Sequence, residues 1–209
     1  MKSKIHRYPS QQGEVTWDAK RCIHAAECVK NLPEVFDVDR KPWIQPDNAD
    51  AKTLMEIIQR CPTGALHLEP NKESEALPHE VDVVPDGPLY LSGDCTLKSA
   101  EGEVLLTDDR IALCRCGLSA NKPLCDGSHK NQFSDPGHLS TDKEASQTPG
   151  TFEATALKDG PLKLSGVLTL KGDNQSATVD DCFLCRCGQS ENKPFCDGSH
   201  KKAGFTDDA

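Results

Sequence analysis

The sequence predicts an α+β fold in two parts, and three features of its 209 residues predict it. Residues 13–70 mix strand-like alternation with one clear helical period. Further on, a sixteen-residue stretch of cysteines and a histidine occurs twice. Each copy of that stretch follows a run of short alternating strands. The expected organisation is a small α+β domain over 13–70, a linker over 71–80 and a β-rich repeat over 81–133. A second linker over 134–150 and a second β-rich repeat over 151–205 complete it, with a short helix after each Cys/His stretch.

In the first part, Gly13-Glu-Val-Thr-Trp17 reads as a strand, and Cys22 to Cys28 as a loop running into a short helix. Val35-Phe36-Asp37-Val38 and Pro42-Trp43-Ile44 read as a small hairpin. Over 50–60, Leu54, Ile57, Ile58 and Cys61 recur at helical spacing, and Pro62 ends the helix. Ala65-Leu-His-Leu-Glu69 alternates as a closing strand. The stretch 71–80 is polar, acidic and carries Pro78, as a linker does.

The repeat is wider than the cysteine stretch. Residues 80–98 match 153–171, including Asp86-Gly87-Pro88 with Asp159-Gly160-Pro161 and Leu97 with Leu170. In both copies Leu-x-Leu alternates after the Asp-Gly-Pro turn. Ile111-Ala-Leu113 and Cys182-Phe-Leu184 supply a last short strand. Residues 134–150, rich in Ser, Thr, Asp, Gly and Pro, are expected to be an exposed connector.

The first stretch runs Cys114-Arg-Cys116-Gly-Leu-Ser-Ala-Asn-Lys-Pro123-Leu-Cys125-Asp126-Gly127-Ser128-His129, and the second from Cys185, Cys187 and Pro194 to Cys196, Asp197 and His200. Each offers three thiolates and one imidazole, with turn formers that bend the chain so that all four can converge. Such donors suit tetrahedral zinc or a two-iron sulfide cluster. Zinc modules usually separate paired cysteines by two or more residues, whereas C-x-C followed by C-x3-H offers its ligands as two pairs, one for each of two metals.

The pattern C-x-C-x2-S-x3-P-x-C-D-G-S-H resembles the CDGSH iron-sulfur (NEET) family, at every motif position of both copies. The resemblance implies a 2Fe-2S cluster in each, held by Cys114, Cys116, Cys125 and His129 and by Cys185, Cys187, Cys196 and His200. It further implies that the tandem copies associate about a pseudo-twofold axis within one chain, as an intramolecular pseudo-dimer in a monomer. Replacing one thiolate by imidazole raises a cluster's potential. Asp126 and Asp197 look like helix caps that aim backbone N–H groups at an anionic cluster. Arg115, Arg186, Lys130 and Lys201 are placed to stabilise added negative charge.

In the first part, Cys22-Ile-His-Ala-Ala-Glu-Cys28 and Cys61-Pro62-Thr-Gly64-Ala65-Leu66 are similar to the divergent monocluster ferredoxin family, with Ala25 where C-x2-C-x2-C has its middle cysteine. Cys22, Cys28 and Cys61 then suit a 3Fe-4S cluster, or a 4Fe-4S cluster whose fourth iron takes water, His24 or Glu27. The repeat also tests the remaining cysteines: Cys95 aligns with Leu168 and Cys182 with Ile111, so both read as small buried apolar residues.

Composition sets the frame. An apolar fraction of 36% with 5% aromatics is thin for a self-sufficient core, and metal centres would add stability. Eleven cysteines with no apolar leader and no run of membrane-spanning length point to a reducing, cytoplasmic setting. Residues 1–70 balance ten Lys or Arg against ten Asp or Glu, so the net charge of −9 falls on 71–209. That argues against nucleic acid or membrane as partner and for a basic docking protein. The expected function is electron transfer, with a redox partner protein. The alternative is a pH- or redox-sensitive cluster donor or sensor acting on an apo iron-sulfur acceptor, with a structural zinc module behind both. Neither a phosphate loop, a dinucleotide fingerprint nor a nucleophile-base set can be assembled, so catalysis is not expected.

Overall fold

A computed structural model describes residues 4–69, 77–140 and 151–207. These fall into two compact units, on either side of the stretch 70–76. The fold is mixed α+β, with a few short helices and many strands.

The N-terminal unit begins with β1 (Ile5–Ser10), a strand the sequence reading did not anticipate, paired antiparallel with β2 (Gly13–Asp18). After the cysteine loop comes α1 (Glu27–Asn31), then α2 (Ala51–Gln59) and β3 (Leu66–Glu69), giving a three-stranded sheet in the order β1-β2-β3. Asp50 caps α2 by accepting the Thr53 N–H at 3.0 Å. The helix turns Leu54, Ile57 and Ile58 onto Val15, Leu66 and Leu68 of the sheet. The expected hairpin over 35–44 is only an isolated bridge between Phe36 and Ile44. Arg40 explains the loop instead, since its guanidinium pairs with Asp37 and donates to the carbonyls of Pro33 and Glu34.

The second unit is an eight-stranded β structure. Its first copy contains β4 (Glu80–Val83), β5 (Leu89–Lys98) and β6 (Val104–Leu113). The second contains β7 (Phe152–Ala156), β8 (Leu162–Ser165), β9 (Leu168–Lys171), β10 (Ser176–Val179) and β11 (Cys182–Leu184). The two long strands of the first copy are therefore each broken in two in the second. One break falls at Gly166, where φ is +102° and a Cβ would lie 2.4 Å from the Thr151 carbonyl oxygen.

The copies exchange strands. Glu80 of β4 pairs in parallel with Thr169 of β9, and Glu153 of β7 pairs in parallel with Thr96 of β5. The ion pairs are reciprocal as well: Lys171 with Glu80 at 2.5 Å and Lys98 with Glu153 at 2.7 Å. Because equivalent residues meet in both directions, the tandem repeat has the pseudo-twofold arrangement the sequence predicted. Its single core runs from Val81, Leu91 and Leu97 to Ala154, Leu164 and Leu170.

Two expectations are corrected here. Only the second cysteine stretch is followed by a helix, the four-residue α3 (Ser199–Lys202), while the first is followed by turns. The connector is also not simply exposed. Over 134–140 it lies on the β structure, with Leu139 buried in the core and its N–H donated to Asn174 Oδ1 at 2.8 Å. An apolar side chain within reach of the inter-repeat core outweighed the polar composition around it. The rest of that connector, 141–150, and most of the expected linker over 71–80 lie outside the described residues.

Candidate metal centres

In the first copy β6 delivers Cys114, and the loop after it returns Cys125 to the end of the same strand. Two backbone bonds fix the return, Cys114 N–H to the Pro123 carbonyl and Cys125 N–H to the Ala112 carbonyl, both 2.9 Å. The four donors then stand as two pairs: Cys114 Sγ is 3.7 Å from Cys116 Sγ, and Cys125 Sγ is 3.3 Å from His129 Nδ1. The second copy reproduces this, with 3.7 Å between the sulfurs of Cys185 and Cys187 and 3.4 Å from Cys196 Sγ to His200 Nδ1. Each ring presents Nδ1 to the site.

Backbone amides converge on the sulfurs. Leu118 N–H donates to Cys116 at 3.5 Å and Gly127 N–H to Cys125 at 3.4 Å; Gln189 and Gly198 do the same for Cys187 and Cys196, each at 3.4 Å. Donors aimed at sulfur stabilise thiolate charge, the form that binds metal. The two sites meet back to back at the pseudo-axis, where Cys116 and Cys187 form an antiparallel bridge. There Gly117 and Gly188 are required, because a Cβ on either would lie 2.6 or 2.5 Å from the opposite cysteine's carbonyl oxygen.

Asp126 and Asp197 are not helix caps, contrary to the sequence reading. Gly198 occupies the cap position of α3 and makes no side-chain cap bond. Each aspartate instead braces its loop: Asp126 accepts from Ser128 N–H at 2.9 Å and Ala120 N–H at 2.8 Å, and Asp197 accepts from Ser199 and Glu191 at the same distances. Burial pushes the Asp126 carboxyl up, but the Ser128 and Ala120 donors outweigh it and hold it below its usual range. The Ser199 and Glu191 amides depress Asp197 in the same direction.

The thiols and His129 carry the imprint of burial. Cys114 and Cys116 share one proton through their hydrogen bond, so the first ionisation of the pair falls below the ordinary thiol value and the second rises above it. Burial pushes Cys125 up to about 11. It lowers His129, which is only 8% exposed, and Lys130 and Arg115 add to that against the pull of Asp126. A neutral imidazole and clustered thiols form a donor set suited to binding metal and poorly suited to standing empty.

Arg115 and Arg186, expected to compensate charge, also have a structural role. Both are buried, at 2% and 1% exposure. Arg115 donates from Nε to the Gly87 carbonyl and from Nη2 to the Val84 carbonyl, pairs with Asp135 at 2.5 Å and lies 4.9 Å from the Phe133 ring centroid. Arg186 repeats this with Gly160, Leu157, Asp207 and Phe205. Each arginine thus ties three segments together: the residues between the paired cysteines, the Asp-Gly-Pro turn and the chain after the histidine. A buried guanidinium needs acceptors for its donors, and these segments supply them.

Sequence reasoning missed Phe133, Asp135, Phe205 and Asp207. The signal was present as Phe133-Ser-Asp135 and Phe205-Thr-Asp207, a further match between the copies. Lys130 and Lys201 are exposed, and Lys130 acts on Cys125 and His129 through its charge.

In the N-terminal unit Cys22, Cys28 and Cys61 line one small pocket with Ala25, Ala26 and Glu27. Burial pushes Cys28 up to about 11, and the other two thiols add to it, so the three are close enough to interact. The loop reaches this arrangement through left-handed residues, His24 at φ 56° and Ala26 at φ 66°. Of the two side chains considered for a fourth ligand, Glu27 lines the pocket and His24 does not. Cys95 and Cys182 are buried in strands, and burial pushes each thiol up to about 12. Both behave as small core residues.

Two β-linked sites of this geometry and a three-thiol pocket define an iron-sulfur binding protein. The family described as iron-binding zinc finger, CDGSH type, matches residues 86–130 and 159–201, and the divergent 4Fe-4S mono-cluster family matches residues 8–71. The chain therefore carries two CDGSH iron-binding domains and, at its N-terminal side, a divergent 4Fe-4S mono-cluster domain. It is similar to the "Uncharacterized protein YjdI" of Escherichia coli (strain K12), 37% identical over 59 residues, which is 28% of this chain and 78% of that protein. The protein of that name from Escherichia coli O157:H7 matches to the same extent. No solved structure matches the chain.

Proposed function

We propose that the chain is a three-centre electron-transfer protein. The observation that carries this reading is the sorting of each donor set into a Cys/Cys pair and a Cys/His pair, with backbone N–H groups on the sulfurs. Cys114 and Cys116 would hold one iron and Cys125 and His129 the other, and Cys185, Cys187, Cys196 and His200 would do likewise. Cys22, Cys28 and Cys61 would hold a 3Fe-4S or 4Fe-4S group. Such clusters supply one-electron chemistry at potentials that differ with cluster type and ligands. The chain's own residues fix the ligands, place donors on sulfur and keep all four donors at the first site buried, so little reorganises when an electron arrives.

The charge of −9 supports a basic protein partner, an electron donor or acceptor, and free thiols support a reducing compartment such as the cytoplasm. No described helix is long and apolar enough to cross a membrane. Within this reading the chain works as a monomeric carrier and not as a catalyst.

Iron and labile-sulfide counts on anaerobically purified protein, with electron paramagnetic resonance before and after reduction, test the proposal. About four irons and four sulfides are expected from residues 77–207, and about three or four more irons from the N-terminal unit. Zinc without sulfide would sink it. Ala25→Cys is expected to convert a three-iron signature toward a four-iron one, because it restores a thiol in the lining of the three-cysteine pocket.

A second reading, a cluster donor, is favoured by the half-buried state of Cys196 and His200 at the second site. His129→Cys with His200→Cys would suppress acid-triggered loss and cluster transfer to an apo-ferredoxin if the imidazoles exist for release. Transfer unchanged by both substitutions would leave the carrier reading alone.

A further inference from the structure

The chain has two tryptophans, and both face a groove in the N-terminal unit. The groove encloses about 460 Å3, within the range of small-molecule sites. Trp17 and Trp43 meet edge to face, with ring centroids 5.0 Å apart and planes at 78°, so they form a rigid angled aromatic wall beside Tyr8. At one end the groove reaches Cys22 and Cys28, which it shares with the three-cysteine pocket. At the lip stands Val38, an apolar side chain 72% exposed, next to Arg40 and Lys41.

Three observations specify the occupant. Two indoles and a phenol offer π-faces to a flat conjugated ring. Trp17 Nε1 is buried and has no hydrogen-bond partner among the described residues, so a buried donor stands ready for an acceptor. The polar side of the groove is cationic: the Arg40 guanidinium is held by Asp37 and by the Pro33 and Glu34 carbonyls, and Lys41 is exposed. An uncharged aliphatic ligand would use none of the last two features.

We propose that this groove is a binding site for a planar conjugated anion, a quinone- or flavin-like ring bearing one acidic group. The ring lies flat on one of the two indoles and meets the other edge-on, an acceptor atom on its rim takes the Trp17 N–H, and its acidic group lies at Lys41. In that position it lies against Cys22 and Cys28. Its relevance to redox chemistry rests on the reading of the N-terminal centre given above, but the binding itself does not.

The test is titration of the full chain with anthraquinone-2-sulfonate, read by quenching of intrinsic tryptophan fluorescence and by calorimetry. Saturable quenching with one site per chain is expected. Val38→Glu and Lys41→Glu, both exposed positions, should each weaken binding about tenfold or more, and benzenesulfonate, which lacks the extended ring, should bind at least tenfold more weakly. Non-saturating quenching, or binding indifferent to both substitutions, would overturn the proposal. Binding that responds to Val38→Glu but not to Lys41→Glu would overturn its anionic character. Probe binding by a chain whose N-terminal unit takes up no iron on anaerobic reconstitution would uphold the groove while the cluster reading failed, and an iron-loaded chain that does not bind the probe would do the reverse, so the two failures can be told apart.

Discussion

The two CDGSH sites share every ligand type, every brace and the same buried arginine, yet they differ in how much water reaches them. In the first, Cys125 and His129 are buried at the end of a continuous ten-residue β6. In the second, Cys196 and His200 are half-buried, the equivalent strand is broken into β10 and β11, and an open pocket lined by Asp180, Asp181 and Phe183 reaches Cys196. Identical chemistry thus sits in two dielectric settings. A ligand set alone does not determine reactivity, because desolvation shifts the charged form of every donor in it.

The sharpest way to break the comparison is to remove one ligand from each site. Cys125→Ser and Cys196→Ser should each abolish one cluster and leave the other, halving the CDGSH iron and sulfide, because each ligand set is local. If either substitution emptied both sites, the contact between Cys116 and Cys187 would couple them and they would have to be treated as one unit.

Next in size is the order of loss. Under acid or an iron chelator the second site should bleach first, by about tenfold in rate, which stopped-flow absorbance on the parent and on His200→Cys would resolve. The sign follows from His129, whose imidazole burial holds below its ordinary value. The unfolded chain takes up that proton at a higher pH than the folded one does. Between the ordinary imidazole value, about 6.5, and the lowered one, falling pH therefore favours unfolding, while the folded ring keeps its metal-binding lone pair to lower pH. Loss from the folded first site by protonation of its imidazole should accordingly begin only as the pH reaches the lowered value. Simultaneous bleaching of the two sites would remove the distinction.

The arginine ties allow a finer comparison. Asp135 is more enclosed than Asp207, with side-chain exposures of 11% and 22%. Asp135→Asn should cost about 3 kcal/mol, read by denaturant unfolding of the iron-loaded protein, and Asp207→Asn measurably less. Equal costs would show that the turn carbonyls carry the arginines and the aspartates add little. The smallest effect is expected from Cys95→Ala and Cys182→Ala: about 1 kcal/mol each for the lost packing, with iron content unchanged.

Much of the chemistry was legible because it is local. Sixteen residues contain each ligand set, and the repeat exposed Cys95 and Cys182 as core residues by aligning them with Leu168 and Ile111. The helix over 51–59 announced itself by period and terminating proline. What escaped was set by contacts distant in sequence. β1 has an ordinary polar composition and exists because β2 offers it an edge. Arg115 sits between two ligands in sequence and so invited a role at the metal, but carbonyls 28 and 31 residues away hold its guanidinium. The same holds for residues 134–140, whose polarity hid the one leucine that anchors them.

The sequence by itself determined which residues are grouped as candidate metal donors, that one such set occurs twice and that the two repeats are equivalent units, since motif spacing and internal duplication are properties of the chain alone. Only the tertiary structure decided that the copies exchange strands so that Glu80 and Glu153 each pair with the other copy's lysine. It also decided which of two identical ligand sets is shielded from water. Shielding depends on what packs over a site, and that is fixed by the whole fold and not by the sixteen residues that form the site.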